Sequence, residues 1–360
     1  MTKVRVLVVE DSLTVRRRLC EVLATDSGIE VVGEAENGKR GIEMCQALRP
    51  DIVTMDMMMS PMTGLAATEY IMAHCPTPIL VVSASTNRGE LFKTYDALAA
   101  GAVDVLEKPR GDELDGQWEQ RFLATVKLVA RIRVITHLRG RLGAAALRGP
   151  PGPPPGGPRL PGPPCRLIAI GASTGGPGAI VEVLRGLAAP VQVPMLLVLH
   201  INEPFGSAFA EWLDGQVTHH VAYARDGETL AALAGRVALA PPGRHLVLRH
   251  GRTFLTQEAE RHSCRPSVDA LFESVALDSG AAAAGCLLTG MGRDGAAGLL
   301  AMRRAGAATI AQDEASSVVY GMPREAALLG AAAQILPLAE IGAALSALVG
   351  ADREPGMGFR

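Results

Sequence analysis

The sequence predicts two α/β domains in tandem: a small doubly wound parallel sheet first, then a larger domain with a mainly parallel sheet. Three observations carry this. Short apolar runs alternate with helical stretches over residues 4–106, and the alternation restarts after Cys165. Between the two, residues 140–164 are too rich in proline and glycine for helix or sheet, and read as a semi-extended linker. A length of 360 residues holds two domains of ordinary size, each with its own core. The expected boundaries are 1–120 for the first domain, 121–164 for a helix and linker, and 165–352 for the second.

In the first domain the strand-length apolar runs are 4–9, 29–35, 52–55, 78–82 and 103–106. Helical spacing covers 12–23, 41–48, 66–74 and 91–99, and a further helix is expected over 117–138. Strands that alternate with helices imply right-handed crossovers and a parallel sheet covered on both faces. In the second domain, 166–170 reads as a strand followed by a glycine-rich turn and a helix over 179–187. Further strands are expected at 195–199, 237–240, 246–249, 253–256, 285–288 and 308–311, with helices at 268–277 and 295–304. His250-Gly251 reads as a hairpin turn.

Composition excludes several function classes. The formal net charge is −2, and no basic recognition helix is visible, so nothing points to nucleic acid or to anionic membranes. The N-terminal residues lack the apolar run of a signal peptide, and no stretch approaches the roughly 20 apolar residues of a membrane span. A cytoplasmic protein without membrane insertion is expected. The six cysteines are scattered with no C-x-x-C pair, which argues against a zinc site or disulfide framework and fits a reducing compartment. The adjacent pair His219-His220 reads as a surface feature.

Chemistry-bearing residues gather at strand ends. Glu10 and Asp11 follow the first strand, Asp56 the third, Ser83 ends the fourth and Lys108 follows the fifth. In an open parallel sheet these carboxyl ends share one edge, where ligands bind. Crowded carboxylates repel unless a cation sits among them, and Mg²⁺ suits oxygen ligands. A lysine and a hydroxyl beside them are what an incoming phosphoryl group needs. A lone strand-end aspartate is more often a helix cap; the joint register favours a site.

The pattern Val8-Val9-Glu10-Asp11-Ser12, Asp56, Gly64-Leu65, Ser83-Ala84 and Lys108-Pro109 resembles the receiver domain of two-component response regulators, a flavodoxin-like fold. The resemblance implies Asp56 as phosphoacceptor and Glu10, Asp11 and Asp56 as the Mg²⁺ pocket. It also implies Ser83 as switch hydroxyl and Lys108 as the contact to the phosphoryl oxygens. Ser60 stands where receivers usually have proline, with Pro61 one place later, and Val105 where many carry a mobile aromatic residue.

The second domain opens with Gly171-Ala-Ser173-Thr-Gly175, a G-x-S-x-G between a strand and a helix that begins near Gly176-Pro177. That is the context of a nucleophile elbow, in which a sharp turn exposes one hydroxyl. A phosphate loop ranks below it, because neither G-K-[ST] nor G-x-G-x-x-G is present. A serine needs a base and the base an orienting acid. His200 follows the strand 195–199, and Asp294 follows the strand 285–288 through a turn, so Ser173, His200 and Asp294 are expected on one sheet edge. Each alone has an ordinary reading: a satisfied histidine, or an Asp-Gly turn or helix cap. His245 and His262 have no comparable placement.

Four longer motifs then make the resemblance close: Ile170-Gly-Ala-Ser-Thr-Gly-Gly-Pro177, Arg265-Pro-Ser-Val-Asp269, Leu288-Thr-Gly-Met-Gly-Arg-Asp-Gly-Ala-Ala-Gly-Leu299 and Gly321-Met-Pro-Arg-Glu-Ala326. With the receiver-like half they resemble the chemotaxis protein-glutamate methylesterase family, CheB. The resemblance implies hydrolysis of glutamyl methyl esters on methyl-accepting chemoreceptors, and deamidation of selected receptor glutamines. It implies Ser173, His200 and Asp294 as the triad, and backbone N–H groups near Thr174 and Met291 as oxyanion donors. Its partners would be the receptors and the histidine kinase CheA as phosphodonor, with Mg²⁺ needed for receiver phosphorylation and no cofactor for the esterase. The family's His-Met-Pro-Pro is His200-Ile-Asn-Glu-Pro204 here. Two rival readings are a transcriptional regulator, since receivers often precede DNA-binding domains, and a catalytically dead adaptor. A gel shift and a covalent serine probe separate them from the esterase.

Overall fold

The computed structural model describes residues 3–84, 87–109, 116–132, 134, 164–188, 191–201 and 203–349. Most of the expected linker, 135–163, lies outside them. The chain divides into two compact units, Met1–Pro150 and Pro151–Arg360.

The first unit runs β1 (Val4–Val9), α1 (Leu13–Ala24), β2 (Ile29–Ala35), α2 (Gly38–Leu48), β3 (Ile52–Met55), α3 (Gly64–His74), β4 (Ile79–Ser83), α4 (Arg88–Ala99), β5 (Asp104–Glu107) and α5 (Gln117–Val129). Its five strands are ordered β2-β1-β3-β4-β5, and every pair is parallel. The order reverses between β1 and β3, so a crevice opens beyond their carboxyl ends. Short polar residues start the helices. Ser12, Asn37, Thr63 and Asn87 each accept a backbone N–H from the first turn of the helix that follows. The Asn37 cap starts α2 at Gly38, earlier than the apolar spacing alone suggested.

Helix α5 is shorter than expected. Its buried positions are Trp118, Phe122, Val126 and Val129, and residues 130–132 are no longer helical, while 135–138 lie outside the described residues. Trp118 stacks on Phe122 and donates Nε1–H to Glu107 O at 2.7 Å. Ion pairs Arg18–Glu119 and Lys127–Asp26 tie α5 to the α1 side of this unit. Position 120 therefore falls inside a docked helix.

The second unit runs β6 (Leu167–Ala172), α6 (Gly176–Gly186), β7 (Met195–Leu199), α7 (Phe209–Gln216), β8 (His220–Tyr223), β9 (Arg236–Leu239), β10 (His245–Arg249), β11 (Arg252–Thr256), α8 (Val268–Asp278), β12 (Ala283–Leu287), α9 (Ala296–Arg304), β13 (Ala308–Gln312), α10 (Met322–Leu328), β14 (Gln334–Leu336) and α11 (Leu338–Val349). Seven strands form one sheet in the order β14-β13-β12-β6-β7-β9-β8, again with every pair parallel. β10 and β11 form a separate antiparallel hairpin. His250 and Gly251 both have positive φ, 51° and 67°, as a tight primed turn requires. Contrary to the surface placement expected for the pair, His219, just before edge strand β8, is buried, while His220 is exposed. Among the described residues, no helix is long and apolar enough to cross a membrane.

Candidate active site

In the first unit, β1 and β3 deliver the acidic groups side by side. Glu10 N donates to Ala35 O at 3.0 Å and Asp56 N to Val9 O at 3.0 Å, which pins both residues at the sheet edge. The carboxylates of Glu10, Asp11 and Asp56 come within 4.8 Å of one another. Lys108, anchored by its N–H to Ser83 O at 2.9 Å, reaches Glu10 Oε2 at 2.8 Å and Asp56 Oδ1 at 2.9 Å. Burial and then the neighbouring Asp56 push the Glu10 carboxyl above its usual range. Burial works against the Lys108 ammonium, but Asp56 and Glu10 outweigh it and hold its pKa above the ordinary value. Three crowded oxygen donors, one of them reluctant to ionise, fit a hard divalent cation such as Mg²⁺. The Ser83 hydroxyl is buried with no hydrogen-bond partner among the described residues. Gly64 explains its place in the motif: a Cβ there would lie 1.8 Å from Asp56 O, so any larger residue would displace the acidic loop.

In the second unit, Ser173, His200 and the turn to Asp294 follow three adjacent strands, β6, β7 and β12. Ser173 N donates to Thr289 O at 3.0 Å, and His200 N donates to Ala172 O at 3.1 Å, so backbone bonds knit the three strand ends together. The turn closes with Gly176 N donating to Ser173 O at 2.7 Å, and Gly175, at φ 76°, leads into α6. Thr174 sits inside this turn, its carbonyl accepting from Thr289 Oγ1 at 3.0 Å. Met291 follows Gly290, whose Cα lies so close to Ser173 that an added Cβ would stand 2.7 Å from Ser173 Cβ.

His200 Nε2 and Asp294 Oδ2 are 2.9 Å apart. Asp294 is buried and accepts three more hydrogen bonds: Ser267 Oγ at 2.8 Å, Val268 N at 2.7 Å and Asp269 N at 3.1 Å. It thus caps the first turn of α8, a helix other than the one that follows it in sequence. Burial opposes its charge, but His200, Ser267 and the helix N–H groups outweigh burial and hold its pKa below the ordinary value. Burial likewise works against the His200 imidazolium. Asp294, and then Cys264 beside the other ring nitrogen, outweigh it and raise the pKa to about 9.

Sequence reasoning missed several of these residues. His262, set aside above, accepts Arg293 Nε–H at Nδ1 at 3.3 Å, so its Nε2–H donates to Asp269 Oδ2 at 3.1 Å. Asp269 is buried beside Asp294; burial and then that neighbour raise its pKa. Cys264 Sγ lies 3.7 Å from His200 Nδ1. Gln312 Oε1 accepts Thr289 N–H at 2.8 Å and steadies the carbonyl segment that holds Ser173. The motif Arg265-Pro-Ser-Val-Asp269 was the available signal for two of them, Ser267 and Asp269. Gln312 ends strand β13, so a strand end marked it, whereas no periodicity or strand end marks His262 or Cys264.

Residues 168–345 match the family "CheB methylesterase", and residues 6–115 match "Response regulator receiver domain". A protein-glutamate methylesterase/protein-glutamine glutaminase 2 of Anaeromyxobacter dehalogenans is 42% identical over 96% of this chain and 97% of its own. The protein-glutamate methylesterase/protein-glutamine glutaminase of Nitrosospira multiformis is 40% identical over 99% of both chains. The crystal structure of the Thermotoga maritima CheB methylesterase catalytic domain has 31% identity and a TM-score of 0.49, covering 51% of this chain and 99% of that one.

Proposed function

Because the chain belongs to the CheB family of response-regulator methylesterases, we propose the following division of labour among its residues. The activity is hydrolysis of glutamate methyl esters on chemoreceptors, with release of methanol, together with deamidation of receptor glutamines, under control of a phosphorylated receiver.

Ser173 is the nucleophile. With Nε2 engaged by Asp294, His200 Nδ1 is the nitrogen that takes the Ser173 proton as the hydroxyl attacks the ester carbonyl. Asp294 orients the ring and stabilises its charged form. Backbone N–H groups at Thr174 and Met291 hold the oxyanion. Methanol leaves with the proton from His200; for a glutamine, ammonia leaves instead. Water, deprotonated by His200, then frees the glutamate from Ser173. The observation that carries this reading is the hydrogen-bonded pair of His200 and the buried, helix-capping Asp294, with backbone bonds fixing Ser173 at the neighbouring strand end.

In the receiver, Asp56 is the phosphoacceptor and the histidine kinase CheA the donor. Glu10, Asp11 and Asp56 would hold Mg²⁺, which supplies charge neutralisation for the phosphoryl group when bound. Lys108 moves from its carboxylate partners to the phosphoryl oxygens, and the Ser83 hydroxyl donates to one of them. The boundary between receiver and esterase lies after α5. Six free cysteines support a reducing, cytoplasmic location. The test is methanol release from methylated receptor membranes, with and without a small phosphodonor and Mg²⁺. Stimulated release supports the reading; absence of release under both conditions overturns it.

A further inference from the structure

We propose that Cys264 and His200 together form an inhibitory site for a thiophilic divalent cation of the zinc class. Cys264 Sγ stands 3.7 Å from His200 Nδ1. A tetrahedral ion with Zn–S near 2.3 Å and Zn–N near 2.0–2.1 Å holds its sulfur and nitrogen about 3.5 Å apart, so the two donors need almost no movement. The far side of the ring is already arranged for such a ligand. A metal-binding histidine generally donates its other N–H to a carboxylate, which fixes the tautomer and leaves a lone pair for the metal. Asp294 is that carboxylate, at 2.9 Å from Nε2. Both donors are partly exposed, the His200 side chain to 13%, so an ion can enter from solvent. Two protein ligands leave the remaining positions to water, which makes binding reversible. Local cysteine and histidine spacing gives no hint of the site because the two residues are 64 positions apart.

Donor chemistry sorts cations between this pair and the acidic pocket of the first unit. Glu10, Asp11 and Asp56 offer oxygen alone and suit Mg²⁺; Cys264 and His200 offer sulfur and nitrogen, which Mg²⁺ shuns and Zn²⁺ prefers. On binding, the Cys264 thiol loses its proton to solvent and its sulfur bonds to the cation. His200 Nδ1 gives its lone pair to the ion and can no longer accept a proton from Ser173. The effect on rate rests on the esterase reading; the site itself does not.

The test uses the full chain with cobalt(II) as a spectroscopic stand-in and ZnCl₂ as the inhibitor. Cobalt should produce a near-ultraviolet thiolate-to-metal charge-transfer band that disappears in both Cys264→Ala and His200→Ala and persists in Asp56→Asn. Zinc should stop basal methanol release, excess chelator should restore it, and equal Mg²⁺ should have no such effect. Relative to its own zinc-free rate, Cys264→Ala should need more than about tenfold more zinc for half-inhibition. Equal zinc sensitivity of Cys264→Ala and parent, or no Cys264-dependent band, overturns the proposal. A Cys264-dependent band in a protein that releases no methanol would instead sink the esterase reading and leave the metal site standing.

Discussion

Replacing Gly290 with alanine tests how tightly Ser173 is held. The new methyl would lie 2.7 Å from Ser173 Cβ, 3.2 Å from Ser173 N and 2.4 Å from Met322 Sδ. Non-bonded carbons rest at about 3.5–4.0 Å, so roughly 1 Å must be found somewhere. The Met322 thioether has rotatable bonds and yields first. Ser173 cannot turn aside freely, because its N–H is bonded to Thr289 O and the preceding Ala172 O holds His200 N. Part of the displacement therefore reaches the gap between serine and imidazole. A misplacement of about 1 Å can cost on the order of 10²-fold in rate, whereas overpacking of this kind costs about 1–3 kcal/mol of stability. That is a modest part of the ~5–15 kcal/mol of an ordinary domain, so the variant should stay folded. The assay is kcat/KM for methanol release, beside a thermal melt followed by circular dichroism. A variant with a lowered Tm but kcat/KM within about twofold of the parent would refute the reasoning, since the strain would then have bypassed Ser173.

Three further outcomes follow from the same geometry. A base must be neutral to accept a proton, and the His200 pKa is raised to about 9, so kcat/KM should climb with pH through about 9; a plateau already reached at pH 7 would contradict this. In Ser267→Ala the buried Asp294 loses a 2.8 Å hydrogen bond, and urea unfolding should show a loss of about 1.5–3 kcal/mol, the usual range for bonds to a charged group. Asp56→Asn should incorporate no phosphate from a small phosphodonor and should keep its basal rate without stimulation; labelling at the parent's level would place the acceptor elsewhere.

Residues at strand ends were the legible part of both sites. An apolar run that stops at Glu10, Asp56, Ser173 or His200 announces both the strand and the edge to which it delivers a side chain. The parallel architecture followed from the same runs. What escaped was held by long-range contact. Ser267 and Asp269 matter because the first turn of α8 abuts Asp294, and Cys264 because its loop passes over His200; nothing local records either fact. Five elements were missed for physical reasons. α7 and α10 are only 8 and 7 residues long, too short to display a helical period, and edge strands β8 and β14 are partly exposed and lack the fully apolar run of the central strands. α11, Leu338–Val349, is apolar around most of its circumference and so shows little contrast between faces. The long helix expected from residue 117 overran its end because apolar and arginine residues continue past Val129 after the buried stripe has stopped.

Ser173 is the proposed attacking group. The direct measurement is methanol release from methylated receptor membranes by the phosphorylated Ser173→Ala protein, with circular dichroism and phosphate incorporation at Asp56 showing that both domains remain folded. The triad reading predicts a loss of several orders of magnitude, as removal of a nucleophile typically produces. Methanol release near the parent rate from that folded, phosphorylated variant would contradict it.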